Sequence, residues 1–172
     1  HIGGVLFSGY EVIDCINEMI KRNNLSLRET ERLVRFLEVY HSLSYGFGAR
    51  NDPPVLWLRV VGVFIFCFYP SLMDDINKNR TDAREFAQLF NLQSWPNMPD
   101  YPSYVKEVDV IAVMLILNSK IEDPRFMLQG SSEQNSYWQA RIEERFRKGT
   151  MDLVLSNLKE TFRVLSLEQA AQ

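Results

Sequence analysis

The stretch Val55-Leu56-Trp57-Leu58-Arg59-Val60-Val61-Gly62-Val63-Phe64-Ile65-Phe66-Cys67-Phe68-Tyr69 decides the fold class. It is apolar on nearly every side, interrupted only by Arg59 and Gly62, and Pro70 ends it. A membrane-spanning helix needs about 20 apolar residues, and shorter runs belong to buried core helices. The stretch therefore reads as a helix buried at the centre of the fold. Its aromatic and β-branched content leaves a strand as the second choice. A helix that is apolar all round needs other elements to wrap it.

Those elements read as amphipathic helices. Gly9 to Lys21 places Val12, Ile13, Ile16, Met19 and Ile20 on one side. Thr81 is the expected N-cap of a helix running to about Leu89. Tyr104 to Asn118 reads as helix by length, around the apolar block Val108 to Leu117. Ser131 to Asn135 reads as a polar loop, after which Asn135 or Ser136 caps a helix to Lys148, stopped by Gly149. Thr150 caps a last helix to about Leu167, with Leu153, Val154, Leu158, Phe162 and Leu165 on one face. The expectation is an all-α, irregular bundle of about seven helices around the apolar helix near residues 55–69. Two connectors divide it. One is the turn-rich 44–54. The other is 91–102, with Pro96, Pro99 and Pro102, where Trp95 is expected to pin the loop to the core.

Composition narrows the function classes. The 172 residues are 46% apolar, 12% aromatic and 24% charged, enough to bury a real core. Net charge is −3, so no global basic character points to nucleic acid. Cys15 and Cys67 are too few for a disulfide scaffold or a four-ligand zinc site, and His1 and His41 supply no histidine cluster. Cys67 in its apolar run reads as a buried free thiol. No membrane span is expected, and a cytoplasmic setting fits. The chain starts at His1 without an initiator Met, so a piece of something longer is expected.

Catalytic motifs are missing. A phosphate-cradling Gly-x-x-x-x-Gly-Lys-Ser/Thr loop does not occur, nor do Gly-x-Ser-x-Gly or His-Glu-x-x-His. Lys148-Gly149-Thr150 has the wrong order. Val113 to Leu117 is followed by Asn118-Ser119 rather than by an acidic Mg²⁺ ligand. A Cys15–His41 thiolate pair lacks an orienting group. Asp74-Asp75 and Glu143-Glu144 are adjacent acids, which point about 100° apart on a helix and do not face one substrate. No catalytic residue and no metal ligand is assigned.

The informative segment is Asn23 to Tyr40, NNLSLRETERLVRFLEVY. Ser26 followed by Glu29 is a capping box, in which each residue's side chain bonds the other's backbone amide. Leu33, Val34, Leu37 and Tyr40 form the inward stripe. Arg28, Arg32 and Arg35 fall within about 60° of one another, on one edge of the helix. Arg28 stands in the first turn, where a cation is disfavoured by about 0.3–1 kcal/mol at exposed sites. One reading is a solvated face with pairs such as Arg28 with Glu31 and Arg35 with Glu31 or Glu38. The other is an anion site supplied from outside, since the planar guanidinium gives a phosphate two parallel hydrogen bonds.

The string Leu25-Ser26-Leu27-Arg28-Glu29-Thr30-Glu31-Arg32 resembles a signature found downstream of the catalytic core in KAP-type P-loop NTPases. More loosely it is similar to the sensor-2 helix of AAA+ lids. The resemblance covers about residues 5–90. It implies that residues 1–90 form a lid-like helical region, with 91–172 a helical extension packed on it. It implies that Arg28 is the nucleotide-sensing arginine, which in the AAA+ family contacts the γ-phosphate, and leaves Arg32 and Arg35 as anion-binding or interface residues. ATP and Mg²⁺ are then expected only with an NTPase core outside this sequence, in the same longer chain or in a partner. The expected function is a non-catalytic lid or regulatory part that couples ATP state to a partner interaction. The alternative is a stand-alone all-α protein–protein interaction module. The tail run Tyr137, Trp138, Arg141, Arg145, Arg147, Lys148 reads as a mixed solvated face.

Overall fold

A computed structural model describes residues 10–44, 53–98, 105–119, 131–145 and 151–171. These form eight helices: α1 (Tyr10–Arg22), α2 (Leu27–Leu43), α3 (Pro53–Phe68), α4 (Pro70–Asn77), α5 (Ala83–Leu89), α6 (Glu107–Leu117), α7 (Ser132–Arg145) and α8 (Met151–Ala171). The all-α expectation holds, with one helix more than anticipated.

The apolar stretch is the central helix α3. Trp57, Leu58, Val60, Val61, Val63, Phe64 and Ile65 are buried along it, on all sides. Its longest packing partner is α8, and α1, α2 and α4 cover the rest. Val154, Leu158, Phe162 and Leu165 of α8 are all buried, as the spacing predicts. Arg59 is tolerated in the run because it is half-buried and its Nε donates to Asn157 Oδ1 of α8 at 3.3 Å.

A second apolar helix completes the core. Val108 and every residue from Val110 to Ile116 in α6 are buried. α6 packs on α5, α7, α1 and α3. Trp95 is buried and stacks on Trp138 of α7, with centroids 6.5 Å apart at 14°. This pins the loop after α5, as expected for Trp95.

Several local expectations are corrected. Pro70 ends α3 but also opens α4, at a position where its missing N–H is not needed. Asp82, not Thr81, caps α5: its Oδ1 accepts from Arg84 N at 2.9 Å, while Thr81 is buried. Ser131, rather than Asn135 or Ser136, caps α7, and 132–135 is helix rather than loop. The Ser131 Oγ accepts from Gln134 N at 3.2 Å and the Ser131 N–H donates to Gln134 Oε1 at 3.0 Å, a capping box with Gln. Trp138 is buried against Trp95, so the reading of that segment as a solvated face fails there. Helix ends at α1, α4 and α5 are each followed by an asparagine with positive φ, namely Asn24 (47°), Asn79 (55°) and Asn91 (52°). Asn occupies that left-handed position more readily than most non-glycine residues. The expected stop at Lys148-Gly149-Thr150, the prolines Pro99 and Pro102, most of the 44–54 connector and the side chains of Arg145, Arg147 and Leu153 lie outside the described residues.

Among the described residues, no helix is long and apolar enough to cross a membrane.

Candidate functional site

The arginine edge of α2 is positioned by the turn before it. Asn23 Nδ2 donates to Met19 O and to Leu89 O, both at 3.0 Å. Tyr69, between α3 and α4, donates its hydroxyl to Asn23 Oδ1 at 2.8 Å. One side chain thus ties the end of α1 to α5 and to the end of α3. Ser26 follows, and the capping box forms as the sequence predicts. Ser26 N–H donates to Glu29 Oε2 at 2.8 Å, and Glu29 N–H donates to Ser26 Oγ at 3.3 Å. The Ser26 bonds hold the Glu29 carboxyl below its usual range. The first turn of α2 therefore has a fixed start and direction.

Leu33, Leu37 and Tyr40 face inward and are buried, with Val34 half-buried beside them. The opposite edge carries the three arginines. Arg28 is exposed in the first turn, next to Leu27, which is 77% exposed. Among the described residues neither Arg28 nor Arg35 has a carboxylate within salt-bridge distance. The anticipated pairs with Glu31 and Glu38 do not form.

Arg32 is held differently. Its guanidinium lies 5.9 Å from the ring centroid of Phe36 and 5.9 Å from that of Phe68. Such contacts are worth about 0.5–1 kcal/mol at exposed sites. They stop the side chain from swinging freely. Arg32 and Arg35 then border a cleft of about 360 Å³ between α2 and the end of α8, with Phe36, Val39, Glu168 and Gln169. The structure thus brings Arg32 and Arg35 into one cleft and leaves Arg28 outside it, one turn nearer the helix start. Two arginines bordering one cleft are able to hold a phosphate or carboxylate by bidentate hydrogen bonds, against the opposing charge of Glu168.

The cysteines offer no nucleophile. Burial pushes the Cys15 thiol up to about 12, against a smaller opposing pull from Arg22. Burial likewise pushes Cys67 up to about 12, with Arg32 pulling slightly down. Thiols that stay protonated at neutral pH are inert. Among the described residues no group of three or more His, Cys, Asp or Glu is placed to hold a metal ion.

The sequence reading missed a second cluster. Arg22 at the end of α1 donates through Nε to Glu18 Oε2 at 3.2 Å, and its Nη2 lies 2.7 Å from Asp109 Oδ1 of α6. Lys106 Nζ reaches Glu18 Oε1 at 3.1 Å. The available signal was Asp109 itself, a carboxylate inside an otherwise apolar block, which demands a cation from elsewhere in the fold.

No protein-family model, no curated protein and no solved structure matches this chain.

Proposed function

We propose that the chain is a non-catalytic helical lid and regulatory part of a KAP-like P-loop NTPase, coupling ATP state to a partner interaction. The observation that carries this reading is Arg28: exposed, in the first turn behind a complete capping box, and without an acidic partner among the described residues. A guanidinium kept free in that position suits an anion brought by another domain. The likeness of residues 25–32 to the sensor-2 helix of AAA+ lids, whose arginine contacts the γ-phosphate, supports reading that anion as the γ-phosphate. Helix N-terminal amides add to the same field.

ATP and Mg²⁺ belong to the core in this reading. The sequence has no Gly-x-x-x-x-Gly-Lys-Ser/Thr loop, so in this reading the core cradles the phosphates and this chain adds Arg28. Arg28 contributes electrostatic stabilisation of charge on the phosphoryl group being transferred. Its engagement in one nucleotide state and release in the other moves the helical region, an order–release switch. The reading places the chain in the cytoplasm, with no membrane span and no nucleic-acid partner expected.

A second reading is a stand-alone all-α interaction module. The cleft bordered by Arg32, Arg35 and Phe36, with Leu27 exposed at the head of the same helix, favours it. The two readings separate on binding of a fluorescent ATP analogue and on phosphate release. Both are measured on the chain alone and on the assembly isolated through a tag on it. Turnover in the assembly that depends on Arg28 supports the lid. An assembly without nucleotide binding leaves the interaction module.

A further inference from the structure

The cleft between α2 and the end of α8 joins unpaired charge to an apolar floor. It holds about 360 Å³ and is bordered by Arg32, Arg35, Phe36, Val39, Glu168 and Gln169. Arg32 and Arg35 are exposed. Phe36 and Val39 are half-buried and packed on the core, each with part of its surface still open to solvent.

The charges do not cancel. Two guanidiniums meet one carboxylate, Glu168, and among the described residues neither arginine forms an ion pair. The nearest acids on α2 itself, Glu31 and Glu38, stand about 40–60° round the helix from Arg35. Both are exposed, and neither reaches an arginine of the edge.

One of the two guanidiniums is held in advance. The rings of Phe36 and Phe68, each 5.9 Å from it, restrict Arg32, and Phe36 is braced in turn by Phe66 at 5.6 Å. A side chain already ordered loses less freedom when a ligand arrives. Arginine and aromatic side chains are also the types enriched where protein partners anchor. A free phosphate would leave the apolar floor uncovered, and an apolar side chain alone would leave both guanidiniums unpaired. A ligand that carries an acid beside an apolar side chain uses both.

We propose that this cleft docks a short acidic segment of a partner protein. An aromatic or large aliphatic side chain of the segment rests on Phe36 and Val39, and its flanking carboxylates pair with Arg32 and Arg35. Glu168 repels acids from the α8 side, so the carboxylates lie on the α2 side. The cleft is small beside the footprint of a folded domain, which suits a linear segment and a transient complex. The inference gives a chemistry to the partner interaction proposed above and rests on that interaction. It makes no use of Arg28, so it can fail while Arg28-dependent turnover stands.

The test is a selection of the full chain against a display library of random dodecapeptides, followed by fluorescence anisotropy of the enriched peptides carrying a rhodamine label. The expected enrichment is of peptides with Asp or Glu flanking Phe, Trp or Leu. Arg35→Glu, at an exposed position whose change removes no core volume, should weaken their binding about tenfold or more, the loss of a charged hydrogen bond. Lys21→Glu makes the same change of charge at an exposed position on α1 and should leave the affinity nearly unchanged. Replacing the acids of a peptide by their amides, or its apolar residue by Ser, should each weaken it. No enriched peptide, enrichment of basic or neutral peptides, or equal losses in Arg35→Glu and Lys21→Glu would each overturn the proposal.

Discussion

Gly62 of α3 and Thr161 of α8 lie so close that a Cβ on Gly62 would stand 3.0 Å from Thr161 Cβ and 3.1 Å from its Cγ2. This is where the two longest-packed helices meet. Thr161 is fully buried, and its Oγ1 donates to Asn157 O at 2.8 Å, so it has little room to withdraw. The glycine in the middle of the apolar run is there for the approach of α8.

Gly62→Ala should therefore destabilise the fold by about 1–3 kcal/mol, the usual range for overpacking. The gain in helix propensity, about 1 kcal/mol, works in the opposite direction and is outweighed. Chemical denaturation measures the change. Adding Thr161→Ser, which removes Cγ2, should restore part of the loss. Equal losses with and without Thr161→Ser would put the strain on Thr161 Cβ, the nearest atom, rather than on Cγ2.

Phe64→Ala should cost about 3–5 kcal/mol, because a fully buried ring leaves a cavity. Phe64 is fully buried, with the rings of Phe68 at 5.0 Å and Tyr69 at 6.0 Å. An urea midpoint close to the wild-type value would contradict the central place of α3.

Ser26→Ala removes the side-chain half of the capping box and should cost about 1 kcal/mol. The loss should fall first on the amides of the opening turn of α2. Hydrogen exchange there should quicken while exchange in α3 and α6 holds. Uniform quickening through all three helices would show that the cap does not act locally.

Glu18 and Asp109 should give opposite pH dependences. Burial raises the Glu18 carboxyl, but the bonds from Lys106 and Arg22 outweigh it and leave the group below its ordinary value. Its contribution is present above the ordinary carboxylate pKa and is lost as pH falls through the lowered folded value. Asp109 is raised, chiefly by burial. Its contribution is present below the ordinary value and is lost as pH rises through the raised one. Wild type measured relative to Asp109→Asn should thus lose stability as pH rises from about 4 through that range. Parallel stability curves for the two proteins would count against a raised Asp109.

What the sequence discloses is what depends on neighbours along the chain. The apolar run of α3, the inward stripe of α8 and the Ser26–Glu29 cap each follow from spacing within one segment, and each is found. Choices between adjacent residues are harder. Thr81 and Asp82 are both good caps, and burial of Thr81 against the core decides for Asp82. Pro70 reads as a stop, yet the same missing N–H suits the first turn of α4. Long-range pairings leave the faintest trace. Nothing near Asn23 announces that it joins Met19, Leu89 and Tyr69, and nothing near Trp138 announces Trp95. For the site, the arginine edge was legible from periodicity. The split that puts Arg32 over Phe36 and Phe68 and leaves Arg28 open comes from the position of α3, which no local pattern contains.

The most direct test of the lid reading is ATP turnover by the assembly isolated through this chain, with and without Arg28→Ala. Arg28 is exposed and outside the core, so the variant should keep its melting temperature and its yield of assembly. The account predicts that phosphate release falls by about 10²–10³-fold, as when other electrostatic donors to a transition state are removed. Turnover unchanged by Arg28→Ala, in an assembly of unchanged composition, would contradict it.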